Sequence, residues 1–405
     1  MTPPSARRFL LAFAAVFAAA VGLLLAHSLV VDPFGVWGTR IAPEKGYEKF
    51  GRVRVAGDRV VKALILGEDR FDAALIGSSR TLIGFDPAYA TLAARRVNNA
   101  GFNGATTLEN AGVIDFALAR QSGLRDLIIG LDLFAFERFR TDGDYDQSGF
   151  AGASPLTGYA MRAASMDALD GSWRFWLNAR KRTPQLTRDG FNHMPRKWLA
   201  DRRRTFVEKI SGGVQSCVSG DTTAALFDRN FARLLKASAA AKARGVNLHF
   251  YTSPQHVWAH FHQHVAGRAP EQEEFKRRLR AFADTLAAMP GAGRVALWDF
   301  DGLDAVTMED VPPEGAGRDM RYFFEHSHFR TRTGDAIIAA LLGGPDRIDG
   351  FGVRLDQVDV EAHLATTRAT LAGWARTHPE DAEFVRARAM RLGACGAEGA
   401  EANVN

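Results

Sequence analysis

Cysteine is almost absent from this chain: Cys217 and Cys395 are the only two among 405 residues. That excludes a disulfide-built scaffold and leaves two alternatives, one bridge or two unpaired thiols. Neither cysteine stands at metal-site spacing, no internal repeat occurs, and no metal or other cofactor is expected. A nucleic-acid module is missing as well. Lys and Arg are spread along the chain, and the net charge is only +5. The densest basic cluster, Arg202-Arg203-Arg204 with Arg196, Lys197 and Lys209, reads as a solvated face or a surface near anionic lipid or glycan. No nucleic-acid partner is expected. A composition of 46% hydrophobic and 24% charged residues argues against wholesale disorder and for a substantial core.

The long apolar run stands at the N-terminus. Arg7-Arg8 precede Phe9 to Ala26, a stretch without charge, and Leu29-Val30-Val31 extend it past His27-Ser28. A helix over 9–31 would be about 35 Å long, enough to cross a bilayer. A cleaved signal has a shorter apolar core, and Ala26-His27-Ser28 is a poor cleavage site. The expectation is therefore an uncleaved single-pass anchor over 1–31, with a cleaved signal as the alternative. Arg7 and Arg8 stay inside and the remainder is exported. Residues 32–70 form a juxtamembrane segment whose Asp32–Gly38 aromatics suit the membrane surface.

Beyond it, short apolar runs alternate with amphipathic ones. Strands are expected at 73–76, 96–99, 126–131, 246–251 and 295–298, and helices at 87–95, 107–120, 224–243, 271–288 and 333–342. This alternation predicts an α/β fold, a three-layer α/β/α arrangement around a mostly parallel sheet. Sites in such sheets form at the carboxyl ends of the strands. The α/β domain is expected over 71–350. An insertion at 138–222, carrying Trp173 and Trp176, is a candidate substrate-facing cap. Residues 351–405 form a helical extension and a flexible tail.

Two segments carry chemistry. The run Phe71–Ile76 ends abruptly in Gly77-Ser78-Ser79, which delivers a hydroxyl to the end of a sheet. Far downstream stands Glu325-His326-Ser327-His328, an acid three residues before a histidine. A serine on a tight turn with a late acid–histidine pair is the minimum equipment for nucleophilic acyl transfer. A plain turn, or a phosphate-binding loop, is the bland reading of Gly77-Ser78-Ser79.

The chain resembles the SGNH/GDSL hydrolase superfamily, in particular its membrane-anchored cell-envelope branch related to DltD and alginate O-acetylation proteins. The likeness rests on Gly77-Ser78-Ser79, on Asn99-Ala100-Gly101-Phe102-Asn103-Gly104, on Gly130-Leu131-Asp132, and on Glu325-His326-Ser327-His328-Phe329. It implies a flavodoxin-like sheet and a catalytic set of Ser79 as nucleophile, His328 as base and Glu325 as its orienting acid. The oxyanion positions would be Ser79, Gly104 and Asp132. Aspartate at 132 departs from the family's asparagine, because an ionised carboxylate cannot donate to an oxyanion. Either Asp132 is protonated, or Asn99 or Asn103 substitutes, or Asp132 has another job. Ser78, Arg80, Asn99, Asn103 and His256 are candidate substrate-binding residues. Arg80 would hold a substrate carboxylate or pair with an acid.

The resemblance further implies a serine esterase or O-acetyltransferase acting on an envelope glycan. It would sit at a bacterial inner membrane with its soluble part in the periplasm, alongside a membrane acyltransferase partner. The other reading is an inactive member that binds a glycan or a protein. A separate group, His256, His260, His262 and His264, offers a weaker metal-binding alternative without an acid among them.

Overall fold

The computed structural model describes residues 4–31, 58–93, 95–138, 141, 144–163, 165–166, 168–170, 172–173, 187, 189–192, 202–211, 220–313, 316 and 319–391. Cys217, Cys395, Trp176, Arg196, Lys197, the 32–38 aromatics and the C-terminal tail lie outside the described residues.

The chain divides into two compact units, residues 1–69 with 143–193, and 70–142 with 194–405. In the first unit, α1 (Pro4–Val31) is long and apolar enough to cross a membrane. Every residue from Arg7 to Ala20 is exposed, whereas Ser28 and Val31 are buried. The second helix of this unit, α2 (Asp58–Glu68), buries Val60, Val61, Leu64 and Ile65. Its Arg59 pairs with Asp144, both buried, and its Lys62 Nζ donates to the Gly190 carbonyl at 3.1 Å. A 3₁₀ turn at Gly149–Ala151 follows later in the same unit.

The second unit holds the sheet. In chain order it runs β1 (Ala73–Ile76), α3 (Ser79–Gly84), α4 (Ala90–Ala93), β2 (Val97–Asn99), α5 (Thr107–Arg120), β3 (Asp126–Leu131) and α6 (Leu133–Phe136). The first unit contributes α7 (Pro155–Ala163) at this point of the chain. Then follow α8 (Arg202–Ser211), α9 (Gly220–Ala243), β4 (Asn247–Thr252), α10 (Val257–Val265), α11 (Ala269–Ala288), β5 (Val295–Asp299), α12 (Thr331–Leu342), β6 (Val353–Arg354), α13 (Val360–Thr377) and α14 (Pro379–Arg391).

The strand order is β2-β1-β3-β4-β5-β6, parallel through β5, with β6 antiparallel at the edge. The architecture is thus mixed α/β with a mostly parallel sheet. β1 and β3 are buried along their whole length, which explains why their sequences do not alternate. β1 is followed on one side by β2 and on the other by β3, so the order reverses at β1. The loops leaving β1 and β3 therefore open a crevice at their carboxyl ends.

One expectation shifts. The helix foreseen over 87–95 is a single turn, Ala90–Ala93. The C-terminal extension also adds to the sheet: β6 pairs with β5, and His363 of α13 reaches Asp299 at 2.7 Å. Lys276 meets the same carboxylate at 2.8 Å, so this buried aspartate has two basic neighbours. Burial opposes its ionisation, but Lys276 and His363 together hold its carboxyl far below the usual range.

Candidate active site

Ser79 is delivered by the sharp exit from β1. Gly77 bends the chain, and a Cβ there would collide with Thr81 Oγ1. Ser78 caps α3, its Oγ accepting the Arg80 N–H at 3.2 Å. Ser79 is then the first residue of that helix, part exposed at the sheet edge.

His328 arrives on a tight loop closed by the antiparallel bridge between Phe323 and Phe329. Within it the Phe324 N–H donates to the His328 carbonyl at 2.9 Å. Both flanking phenylalanines are fully buried. Phe329 lies against Gly84, where any Cβ would overlap its ring, and meets Phe85 edge-on at 5.5 Å. Burying one such ring contributes roughly 1.5–3 kcal/mol. The helix that starts with Ser79 thus ends in the packing that fixes the histidine loop.

These anchors bring Ser79 Oγ to 2.8 Å from His328 Nε2. On the other side of the ring, Nδ1 bonds the Glu325 Oε1. A carboxylate at Nδ1 assigns the ring proton to that nitrogen, leaving the Nε2 lone pair for the serine O–H. Glu325 is completely buried. Its Oε2 accepts the Ser327 N–H at 3.0 Å and faces His326 Nδ1 at 2.9 Å, and Ser327 Oγ donates to Oε1 at 3.0 Å. Burial pushes this carboxyl up, but His326 and His328 outweigh it and hold the group well below its ordinary value. An ionised acid at one ring nitrogen and a hydroxyl at the other are the components of a nucleophile-activating relay.

The turn over 99–106 runs beside this serine. The Ala100 N–H donates to the Leu75 carbonyl at 2.8 Å and Phe102 N–H to the Gly77 carbonyl at 3.0 Å. Gly104 takes a left-handed φ of 60°, a conformation glycine adopts without steric cost. Thr106 and Glu109 then form a capping box that starts α5.

The remaining candidates separate into two groups. Ser78 Oγ donates to Asp132 Oδ2 at 2.5 Å, and Arg80 Nη1 meets Asp132 Oδ1 at 2.8 Å. Both Asp132 oxygens are therefore acceptors, one of them paired to a guanidinium, and neither donates to an oxyanion. Of the alternatives weighed for Asp132, the geometry gives it another job: it anchors Ser78 and Arg80 behind the nucleophile. Arg80 is buried and its Nη2 continues to Gln255 Oε1 at 3.1 Å. Asn99 is buried too. Its Nδ2 donates to the Thr81 and Phe85 carbonyls, both at 2.9 Å, and its Oδ1 accepts the Gly101 N–H. It ties the turn to α3. Asn103 lies partly exposed on the turn beside Gly104.

His256 is buried beside the histidine loop, its backbone N–H donating to the His326 carbonyl at 2.9 Å. Its ring is 1% exposed, Nδ1 accepts the Trp258 N–H at the start of α10, and Nε2 bonds the Glu309 carbonyl at 2.6 Å. Burial lowers its pKa to about 3, with the Glu309 carbonyl acting against that shift. Its neighbour Gln255 is the residue that reaches Arg80, one position from the one singled out. Among the described residues, no group of three or more His, Cys, Asp or Glu is arranged to hold a metal. His262 is buried, which lowers its pKa to about 4, and His260 instead approaches Asp301 at 3.1 Å.

Sequence reasoning assigned no role to His326 and none to the Thr81–Tyr251 hydroxyl pair, which meets at 2.8 Å. His326 was visible as a second histidine beside the acid. Nothing local in the sequence marks the other two. The chain matches no protein-family model, no curated protein and no solved structure.

Proposed function

We propose that this protein is a membrane-anchored serine esterase or O-acyltransferase of the SGNH/GDSL type, acting on acetyl or similar acyl esters of an envelope glycan. The observation that carries the reading is the Ser79 Oγ–His328 Nε2 contact of 2.8 Å, backed by buried Glu325. The parallel strand order β2-β1-β3-β4-β5, with the serine leaving β1, supports a flavodoxin-like three-layer arrangement.

In this reading Ser79 Oγ attacks the acyl carbonyl carbon while His328 Nε2 takes the hydroxyl proton. Glu325 stabilises the imidazolium that results. The N–H groups of Ser79 and Gly104 receive the oxyanion. Collapse of the adduct breaks the ester bond, and His328 returns the proton to the departing alcohol. Water or a sugar hydroxyl then attacks the acyl-enzyme, with His328 as base again. Asp132 is withdrawn from oxyanion contact in this scheme. A missing side-chain donor costs about 100–1000-fold in rate, so turnover is slow or needs a partner or acceptor to complete the site. The apolar α1 tethers the protein to the bacterial inner membrane, with the soluble part in the periplasm, where a membrane acyltransferase would supply acyl groups.

The occupation of Asp132 by Arg80 favours a second reading, an inactive relative that binds a glycan or a protein. Reaction of the full chain with a serine-directed fluorophosphonate separates the two. Labelling that disappears in Ser79→Ala, together with hydrolysis of an aryl acetate, supports the enzyme. Absence of labelling in the folded wild type supports the binding protein.

A further inference from the structure

Among the described residues, the large exposed hydrophobic side chains occur in two places. Phe9, Leu10, Leu11, Phe13, Val16, Phe17, Leu23, Leu29 and Val30 lie on α1, and Leu156, Met161, Met166 and Trp173 lie within 156–173. All thirteen belong to the first unit, and the second unit contributes none to this set. The exposure of the four is large: 61% for Leu156, 54% for Met161, 77% for Met166 and 65% for Trp173. Isolated exposed apolar residues are ordinary, but four within one short segment call for a covering surface.

The position of that segment identifies the surface. α7 packs against α1. The buried or half-buried positions of α1 beyond its first described turns are Val21, Leu24, Leu25, Ser28 and Val31, all in its C-terminal half and spaced as one helix face. The span Ala6–Val31 has 26 residues. At 1.5 Å per residue it is about 39 Å long, against a hydrocarbon core of about 30 Å. Its last turns therefore reach the headgroup layer, and that is the half of α1 in which its buried positions lie. A Trp ring suits that depth, and Leu and Met side chains add apolar area to bury there.

We infer that Leu156, Met161, Met166 and Trp173 form a second membrane contact, lying in the lipid interface on the side where α1 leaves the bilayer. The segment 155–173 carries Arg162 against Asp167 and Asp170, so its sequence net charge is −1. Attraction is thus apolar and does not call for anionic lipid. The contact would hold the first unit against the bilayer at two points instead of one, which restricts its swivel about α1. The inference rests on α1 remaining in the bilayer.

The test is spin-label accessibility on the full chain in phosphatidylcholine vesicles, with both native cysteines replaced by serine. Labels are placed singly at Val16→Cys, Met166→Cys and Glu383→Cys; Glu383 is a solvent-facing control at 68% side-chain exposure. Apolar oxygen and a water-soluble nickel chelate serve as competing relaxers. Position 166 is expected to give an oxygen-over-nickel preference of the same sign as position 16 and opposite to position 383. That pattern should be unchanged when phosphatidylglycerol is mixed into the vesicles. Met161→Cys provides an independent site should one label perturb the fold. A lipid-like value at 16 with a water-like value at 166 and 161 overturns the inference and leaves the span intact. Shielding of 166 and 161 from both relaxers also overturns it, because a protein partner or a second copy then covers the patch. A water-like value at 16 removes the membrane span itself and the inference with it.

Discussion

Ser79 and His328 stand 249 positions apart in the chain, yet their Oγ and Nε2 atoms meet at 2.8 Å. The meeting is produced by packing, since Phe329, next to the histidine, sits on Gly84 at the end of the helix that Ser79 begins. Orientation of the imidazole depends in turn on Glu325, whose carboxylate selects the tautomer with the proton on Nδ1. Glu325→Gln keeps the size of the side chain but removes its charge and lets the amide select the other tautomer. Aryl acetate hydrolysis should fall roughly 10³–10⁴-fold, while circular dichroism stays that of the wild type. A loss below tenfold would remove Glu325 from the relay.

Asp132 lends itself to a sharper test, because the sequence resemblance and the contacts point in opposite directions. If the position simply awaited its asparagine, Asp132→Asn would raise activity. The pair with buried Arg80 at 2.8 Å argues otherwise. Asn at 132 leaves a guanidinium buried without its counter-charge, which should cost about 3–5 kcal/mol of stability. In chemical denaturation Arg80→Met/Asp132→Asn together should recover a large part of that loss. Additive losses in the double variant would show that the two side chains are not coupled.

What the sequence disclosed follows a physical pattern. Ala73–Ile76 and Asp126–Leu131 could be read as strands because both faces of each are buried, leaving uninterrupted apolar runs. The turns at Ser79 and Gly104 and the Glu325–His328 contact were legible because tight turns demand glycine and because the acid and the histidine stand three residues apart. The job of Asp132 was not, since its partner Arg80 lies 52 residues upstream and an arginine has many possible acids. His256 was misplaced for a related reason. A histidine after a strand looks functional, but only the fold brings the Trp258 N–H and the Glu309 carbonyl to its two ring nitrogens. Short helices such as Ser79–Gly84 escaped periodicity altogether, being too brief to show one.

The floor beneath the crevice is set by the absence of side chains at Gly77 and Gly130. A Cβ on Gly130 would lie 2.6 Å from the Tyr251 hydroxyl and 3.0 Å from Thr81 Oγ1. Gly130→Ala is therefore expected to destabilise by about 1–3 kcal/mol, as overpacking of a close-packed site does. Tyr251→Phe removes the hydroxyl and should relieve part of the crowding. Urea midpoints for the two single variants and the double variant check this. The double should be more stable than the sum of the singles, and strict additivity would place the clash elsewhere.

His256 supplies a pH signature independent of any catalytic role. Its folded pKa is lowered to about 3 by burial, against an unfolded value of about 6.5. Above the unfolded value both states carry a neutral ring and the site contributes fully to stability. Between the two values the unfolded chain binds a proton that the folded chain refuses, so stability falls as the pH drops. The slope from this one group approaches about 1.4 kcal/mol per pH unit across that window. His256→Asn retains a side chain able to cap α10 and cannot be protonated there. At pH 7 the variant should be less stable, having lost the bond to the Glu309 carbonyl. On titration toward pH 4.5 its urea midpoint should decline less steeply than that of the wild type, so that the two curves converge. Parallel curves would mean that the ring takes up its proton without leaving the folded structure, and that burial does not hold it neutral.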